Sequence, residues 1–302
     1  MIMQTTKKTI RGCFDDTKPL YHIHKMWPGV DSRIFVRDFK QVTSQDVVHV
    51  EPAALQVEED STGWTVYFQQ GDEKHKIEQC TMELFQEELR DIDPRILKKL
   101  ATCCVNDFRN ILLLHDKRIL GIVQQELPSL VERKVLDAAE AKILRNGIAE
   151  TAIPGSEAMK GILQESRQDP LQRHRYIVKP VRGASCNGIR LGHEISQEEW
   201  ISLLERSVSH ALRPNEEAYV VQTLVDHLWC DIVRHEVHPS PTAEQFHLIG
   251  SCHMVNSKLF VFGPWRIGQD VHVGLSKEGM GIVMSCVLRP DDLETLDGRK
   301  EE

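Results

Sequence analysis

The sequence predicts an α+β protein with α/β elements, and three observations carry that reading. Short β-rich runs bounded by turn residues recur along the chain, tracts with helical spacing separate them, and strands dominate the C-terminal half. The 302 residues, 41% hydrophobic and 27% charged, suffice for one large domain or two ordinary ones.

In chain order, residues 1–30 are polar and broken by Pro19, Pro28 and Gly29, which predicts a loosely held arm. "RIFVRDF" (33–39) alternates enough for a strand, and "DVVHVEPAALQV" and "GWTVYFQQ" are two further β-rich runs around the acidic turn "EEDSTG". The period changes at "TMELFQEELRDI" (81–92), where Met82, Leu84, Phe85 and Leu89 share a helical face. "ILLLH" (111–115) reads as a short apolar strand of the kind buried on both faces in a parallel sheet. A helical tract follows at 117–147, ending in "RNGI". "PGSEAMKGILQES" (154–166) then opens a helix with Ser156 as N-cap.

From residue 175 the pattern is strand, small-residue loop, strand, and the helix "SQEEWISLLERSVSHAL" (196–212), with Ser196 and Glu199 at capping-box spacing. "EEAYVVQTLVD" (216–226) and "LWCDIVRHEV" (228–237) read as adjacent strands. "FHLIGSCHMVNSKLFVFGPWR" suggests two antiparallel strands joined through "NSK", and "GIVMSCVL" (281–288) a last strand.

Net charge is −8 and the pI about 6.0, so no global field draws the chain to nucleic acid or an anionic membrane, and a phosphate-binding surface has to be local. Eight cysteines without a CxxC pair predict reduced thiols rather than a disulfide framework. The start lacks the apolar core of a signal peptide, and no run approaches the roughly 20 apolar residues of a membrane helix. The expectation is a soluble, cytoplasmic protein.

The stretch "RYIVKPVRGASCNGIRLG" (175–192) is the most suggestive. The strand "YIV" fixes the backbone of Lys179, so its ammonium can be aimed, and Pro180 ends regular pairing. Gly183, Ala184, Ser185 and Gly188 leave backbone N–H groups open to approach, and Arg182 adds a second cation. The loop is neither a Walker A sequence nor GxGxxG, and an ordinary glycine-containing hairpin with an exposed lysine would look much the same. Three further segments accompany it. "ILLLHDKR" puts His115, Asp116, Lys117 and Arg118 where open α/β sheets gather ligands. "EEAYVVQTLVD" has the apolar strand and flanking carboxylates of a segment that hydrogen-bonds an adenine edge through its backbone. "VFGPWRIG" sets Arg266 after a turn suited to holding a guanidinium against an anion.

In this order the four segments resemble the ATP-grasp fold, and more closely its circularly permuted branch of glutathionylspermidine synthase-like ligases. The resemblance covers roughly residues 45–290 and is strongest over 171–226. It implies two α/β subdomains holding a nucleotide between β-sheets, with ATP and Mg²⁺ as cofactors. Lys117 and Lys179 would hold the α- and β-phosphates, with the loop residues Arg182, Gly183, Ser185 and Gly188 closing over them as a lid. Val221 and Gln222 would lie at the adenine hinge, and Arg266 would bind the reacting phosphate or acyl group. The implied division is a β-rich then helical region (1–105), an α/β linker with the first phosphate lysine (106–170), and the nucleotide-binding region (171–302).

The permuted branch carries its magnesium ligands, an Asp and a Glu-x-Asn pair, upstream of a strand-rich linker. Here fewer than about 50 residues precede that linker, less than a domain of usual size, and they hold no E-x-N. The expectation is a shortened N-terminal part, with Asp38, Asp226 or Asp231 as substitute ligands or a partner chain supplying them. The implied chemistry is ATP-dependent ligation of a carboxylate to an amine or thiol through an acyl phosphate, on small-molecule or peptide-like substrates. The alternative is a nucleotide-binding pseudoenzyme or partner-dependent half, non-catalytic alone. Phosphoryl transfer to a small molecule and a protein-interaction scaffold also stay open.

Other constellations are weaker. In "RHEVH" (234–238), His235 and His238 are three apart in a strand-like stretch and would face opposite sides, which argues against zinc. His22 and His24 share a strand-like face, yet nothing nearby in sequence completes a site. Cys186 lies in the phosphate loop beside Arg182, where a modifiable thiol is expected rather than a nucleophile.

Overall fold

The computed structural model describes residues 12–25, 30–61, 63–106, 110–183, 186–209, 217–233, 243–255, 258–262, 265–269 and 281–283. Two units emerge, Cys13–Asp226 and a second made of Met1–Gly12 with His227–Glu302.

In the larger unit the chain runs through β1 (Leu20–His24), α1 (Val30–Thr43) and β2 (Val47–Val50). The meander β3 (Leu55–Asp60), β4 (Gly63–Gln70) and β5 (Glu73–Lys76) follows, then β6 (Cys80–Glu83) and the short helices α2 (Gln86–Arg90) and α3 (Pro94–Leu100). β1 is the centre of a three-stranded parallel sheet in the order β2-β1-β6. Its residues Leu20–Ile23 are buried without a break, as expected of a parallel strand covered on both faces. Side chains alternate, so Tyr21, Ile23, Val50, Cys80 and Met82 enter one core with Val66, Phe68, Leu89, Ile96 and Leu100. The opposite face carries Leu20, His22 and His24 of β1. In register beside them stand His49 of β2 and Thr81 and Glu83 of β6.

The sequence expectation of a strand at 33–39 is overturned, because the segment is part of α1. Seven residues of alternation resemble a strand, but over the full helix Val30, Ile34, Phe35, Phe39 and Val42 recur at helical spacing. Phe39 is fully buried and meets Phe14 edge-on at 5.4 Å between ring centres. The helix expected over 81–92 is likewise split: Met82 belongs to β6, and only Gln86–Arg90 is helical.

"ILLLH" is not a buried strand either. Asn110–Leu114 forms a π-helical turn, with Leu112, Leu113 and Leu114 exposed. A short apolar run does not by itself separate strand from helix. After it come α4 (Arg118–Glu132), α5 (Ala138–Gly147), β7 (Thr151–Ala152) and α6 (Glu157–Gln168), where Ser156 caps α6 by accepting from the Met159 N–H at 3.2 Å. β8 (Tyr176–Pro180), β9 (Arg190–Leu191), α7 (Gln197–Ser207) and β10 (Tyr219–Thr223) complete the unit. Ser196 caps α7, but the reciprocal half of the expected capping box is replaced by an ion pair, since Glu199 turns to Arg190.

β7, β10, β8 and β9 form an antiparallel sheet in that order. α6 and α7 cover one of its faces, burying Met159, Leu163, Trp200, Leu203 and Leu204 against Ala152, Val178 and Val221. α4 approaches β7 closely at Gly121, where an added Cβ would stand 2.5 Å from Ile153 Cγ2 and 2.6 Å from the Thr151 carbonyl oxygen. The backbone oxygen cannot move aside without breaking the strand. Gly121→Ala is expected to destabilise by about 1–3 kcal/mol despite alanine's better helix propensity. Thermal denaturation showing an unchanged or raised Tm would contradict that packing.

The second unit contains β11 (Leu228–Val233), β12 (Ala243–Ile249), the ribbon β13 (Cys252–Val255) and β14 (Lys258–Phe262), β15 (Trp265–Gly268) and β16 (Gly281–Val283). Its main sheet has the order β11-β12-β15-β16. The β13–β14 pairing matches the expected strands around "NSK". β10 and β11 do not pair as expected: β7 and β8 occupy both edges of β10, and β11 pairs with β12 instead. Residues 234–238, with the "RHEVH" histidines, and 284–288 of the last expected strand lie outside the described residues. Among the described residues no helix is long and apolar enough to cross a membrane, and none of the described cysteines is in a disulfide.

Candidate functional site

The loop between β8 and β9 does close an antiparallel hairpin, with Ile177 opposite Leu191 and Val178 opposite Arg190. It is an unusual one. Gly183, Cys186 and Gly188 all take positive φ, at 107°, 60° and 69°. A Cβ on Gly188 would also lie 2.7 Å from Pro180 Cγ, so glycine is required there twice over.

Lys117 meets this loop from the far side of the sequence. It is the N-cap residue of α4, and its backbone N–H donates to the Val181 carbonyl at 2.9 Å. Its ammonium Nζ donates to the Gly183 carbonyl, also at 2.9 Å, across 66 residues of chain. The Val181 N–H in turn donates to Ala218 O at 2.8 Å, fastening the loop base to the entry of β10. The other end of the arrangement is held through Gln124 of α4. Its side-chain amide oxygen accepts from the Thr151 N–H at 3.0 Å, and its amide NH₂ donates to Ile148 O at 2.9 Å. These bonds fix the start of α4 against the loop after β8.

Lys179 lies one residue beyond Val178 on β8 and therefore points away from the α6–α7 core. Burial holds its ammonium below the ordinary lysine value, and the neighbouring Lys117 charge lowers it further. Lys117 is also lowered by burial, with Asp116 opposing. Asp116 is buried and receives Arg118 at 2.6 Å and Arg182 at 3.5 Å, while also accepting from the Arg118 N–H at 3.0 Å. These bonds and cations keep its carboxyl below the usual range against the cost of burial. Arg118 and Arg182 thus flank the Asp116 carboxylate, Lys117 follows it in the chain, and Lys179 lies near Lys117. Four cations against one carboxylate suit a polyanion. The sequence expectation had put Lys117 at a strand end; it stands instead at the start of a helix.

The remaining expected residues are placed as follows. Ser185 lies outside the described residues. Val221 is buried in the core of the antiparallel sheet. Gln222 is buried too, and its amide NH₂ donates to Thr151 Oγ1 at 2.7 Å. Arg266 sits on β15 in the other unit, half-buried, between β12 and β16. Asp38 lies on α1 and pairs with Arg37 at 2.8 Å. Asp226 and Asp231 are exposed, the latter on β11 of the other unit. Among the described residues no three His, Cys, Asp or Glu side chains converge as a ready-made cation cage.

Residues 2–113 match the AnkG N-terminal domain. Over 211 residues, 70% of its length, the chain is 32% identical to the ATP-grasp enzyme ankG of Aspergillus thermomutatus. The similarity is thus to part of an ATP-grasp enzyme: the chain spans less than half of that relative, 43% of its length. A glutathione synthetase-like effector from Globodera pallida, solved in its apo form, aligns with 88% of this chain and 53% of its own. The identity there is 11% and the TM-score 0.44.

The histidine face of the parallel sheet is what reading the sequence missed. His22 and His24 do have company, from His49, Thr81 and Glu83 on neighbouring strands. The available signal was the recurrence of histidine at alternating positions in two β-rich runs, "YHIH" and "VVHV", but strand adjacency is invisible until the sheet order is known.

Proposed function

We propose that the larger unit holds the phosphates of Mg²⁺–ATP between Lys117 and Lys179, and that the protein is an ATP-dependent carboxylate–amine or carboxylate–thiol ligase. The observation that carries this reading is the meeting of two half-buried lysines from distant segments over a glycine loop, where Lys117 Nζ reaches the Gly183 carbonyl, burial lowers both ammonium groups and Lys117 lowers Lys179 further. Polyphosphate offers both the counter-charge they lack. Gly183 and Gly188 keep side-chain bulk out of the way of the phosphates, and Arg182 lends a further cation once it leaves Asp116. The adenine edge is assigned to the end of β10 past Val221 and Gln222, whose own backbone lies between two strands.

In the reaction, a substrate carboxylate oxygen attacks the γ-phosphorus and ADP leaves, giving an acyl phosphate. An amine or thiolate then adds to the carbonyl carbon, and the tetrahedral adduct collapses with loss of inorganic phosphate. Asp38, Asp226 or Asp231 are the weak candidates to hold Mg²⁺, which would supply charge compensation to the transferring phosphoryl group. Lys117 and Lys179 orient the nucleotide.

A coupled ADP assay over a panel of carboxylates, each with and without an amine, tests the reaction. ADP release that requires both partners supports ligation. Release with a phosphate acceptor alone indicates simple phosphoryl transfer. Tight ATP binding without ADP release under any pairing favours the second reading, a nucleotide-binding relative that needs another chain for its metal ligands. The engagement of Asp38 by Arg37 is the observation on its side.

A further inference from the structure

We propose that His22, His24, His49 and Glu83, on one face of the parallel sheet, form a binding site for a divalent transition-metal ion of the zinc class. The site is independent of the nucleotide reading. All four residues lie at the carboxyl-terminal part of three adjacent parallel strands, in register: His22 beside His49, and His24 beside Glu83. That end of a parallel sheet is where α/β proteins place ligands.

The first observation is ring spacing. The three imidazole centres are 5.1, 5.2 and 5.8 Å apart. Imidazoles bound to one tetrahedral ion through metal–nitrogen bonds of about 2.0–2.1 Å have centres about 5 Å apart, so the backbone already sets the rings at ligating distance. The second is an orphaned nitrogen. His22 is only 3% exposed, and its Nε2 has no hydrogen-bond partner. The nearest carboxylate oxygen, Glu83 Oε2, stands 3.6 Å away. A sealed, unpaired nitrogen is costly to keep, and a bound ion is a partner that would satisfy it.

The third observation is the outer layer of contacts. His22 Nδ1 is hydrogen-bonded to Thr81 Oγ1 at 2.9 Å, which fixes the ring and leaves Nε2 for a ligand. Ser32 Oγ donates to Glu83 Oε2 at 2.5 Å and orients that carboxylate. Supports of this kind are what tune metal-bound imidazole and carboxylate.

In the arrangement seen, the four side chains do not converge on one point. His24 Nε2 and His49 Nδ1 share a hydrogen bond of 3.1 Å. Ligation replaces the proton between them with the ion and turns the two rings toward His22 Nε2. Three imidazoles and one carboxylate suit Zn²⁺, Co²⁺, Ni²⁺ or Cu²⁺, whereas Mg²⁺ prefers oxygen donors and water. The ion proposed here is therefore chemically distinct from the one that accompanies ATP.

The test is titration of the metal-stripped full chain with Co²⁺, read by visible absorption and by metal content after desalting. One equivalent bound, displaced by Zn²⁺, is expected, without the near-ultraviolet band of a cobalt–thiolate bond. His24→Ala and His49→Ala, on partly exposed and exposed positions, should each weaken binding by at least about 10-fold with little change in the Tm of the metal-free protein. His174→Ala, which disrupts the separate His174–His193 ring pair, should change nothing. No binding, or binding that survives both variants, overturns the proposal. A thiolate band also overturns it, because the ion would then sit on cysteine.

Discussion

Lys179→Met is expected to weaken ATP binding by at least about 10-fold while making the unliganded protein more stable. Each charge-assisted contact to a phosphate contributes about 1.5–3 kcal/mol, so losing the ammonium weakens binding by roughly 10- to 150-fold. The opposite effect on stability follows from the same burial. Lys179 lies in the sheet face beside Lys117, and both the environment and that neighbour oppose its charge. A methionine of similar length removes the opposition, and a rise in Tm of about 2–4 °C corresponds to a gain of about 1 kcal/mol.

The sign of the pH effect is fixed by the direction of these shifts. The folded-state values of Lys117 and Lys179 lie below the ordinary 10.5. Between the depressed values and 10.5 the unfolded chain binds more protons than the folded one, so stability of the unliganded protein rises with pH across that window. Phosphate brings the lysine values back up, so ATP binding in the same window is accompanied by proton uptake. Calorimetry in two buffers of different ionisation enthalpy measures that uptake, which should shrink in Lys179→Met. Equal ATP affinity in wild type and variant would sink the phosphate-site reading and leave the β8–β9 connection as a hairpin with no ligand.

The second large effect concerns the core that holds Lys179 in place. Trp200→Ala is expected to cost about 3–5 kcal/mol and to lower Tm by on the order of 10 °C. Trp200 is fully buried, stacks on Tyr176 at 6.1 Å, and donates its indole N–H to the Ser166 hydroxyl at 2.9 Å. Removing it opens a cavity under β8 and β10 and strands a hydroxyl that is itself sealed from solvent. Trp200→Phe paired with Ser166→Ala separates the two contributions. If Phe alone costs much more than Phe with Ala, the orphaned hydroxyl dominates. A change in Tm within about 2 °C for Trp200→Ala would be incompatible with this core.

Much of the second half of the larger unit was legible in the sequence because its signals are local. Ser156 and Ser196 announce the helices they cap, and "YIVKP" followed by glycines announces a strand and a tight loop. Where reading failed, the deciding information was longer in range. α1 looks like a strand in a seven-residue window and like a helix only over its full fourteen residues. "ILLLH" is apolar yet exposed, and nothing in five residues tells a π-helical turn from a buried strand. Lys117 was singled out correctly as a neighbour of the Lys179 loop, but for the wrong local reason. The bond from its N–H to Val181 links segments whose proximity is a property of the folded sheet and not of either sequence. The histidine face is the extreme case: its residues are contributed by three strands, and only their order in the sheet assembles them.

One contact in the loop reaches beyond positioning. The Lys117 ammonium already gives one of its three N–H donors to the Gly183 carbonyl, so on the proposed reading an incoming anion shares it with a partner supplied by the protein itself. On that reading orthophosphate or a nucleoside monophosphate, with few oxygens to offer, reaches only part of the site. A triphosphate would reach Lys117, Lys179 and the loop together, so the arrangement would favour long polyphosphates over short ones.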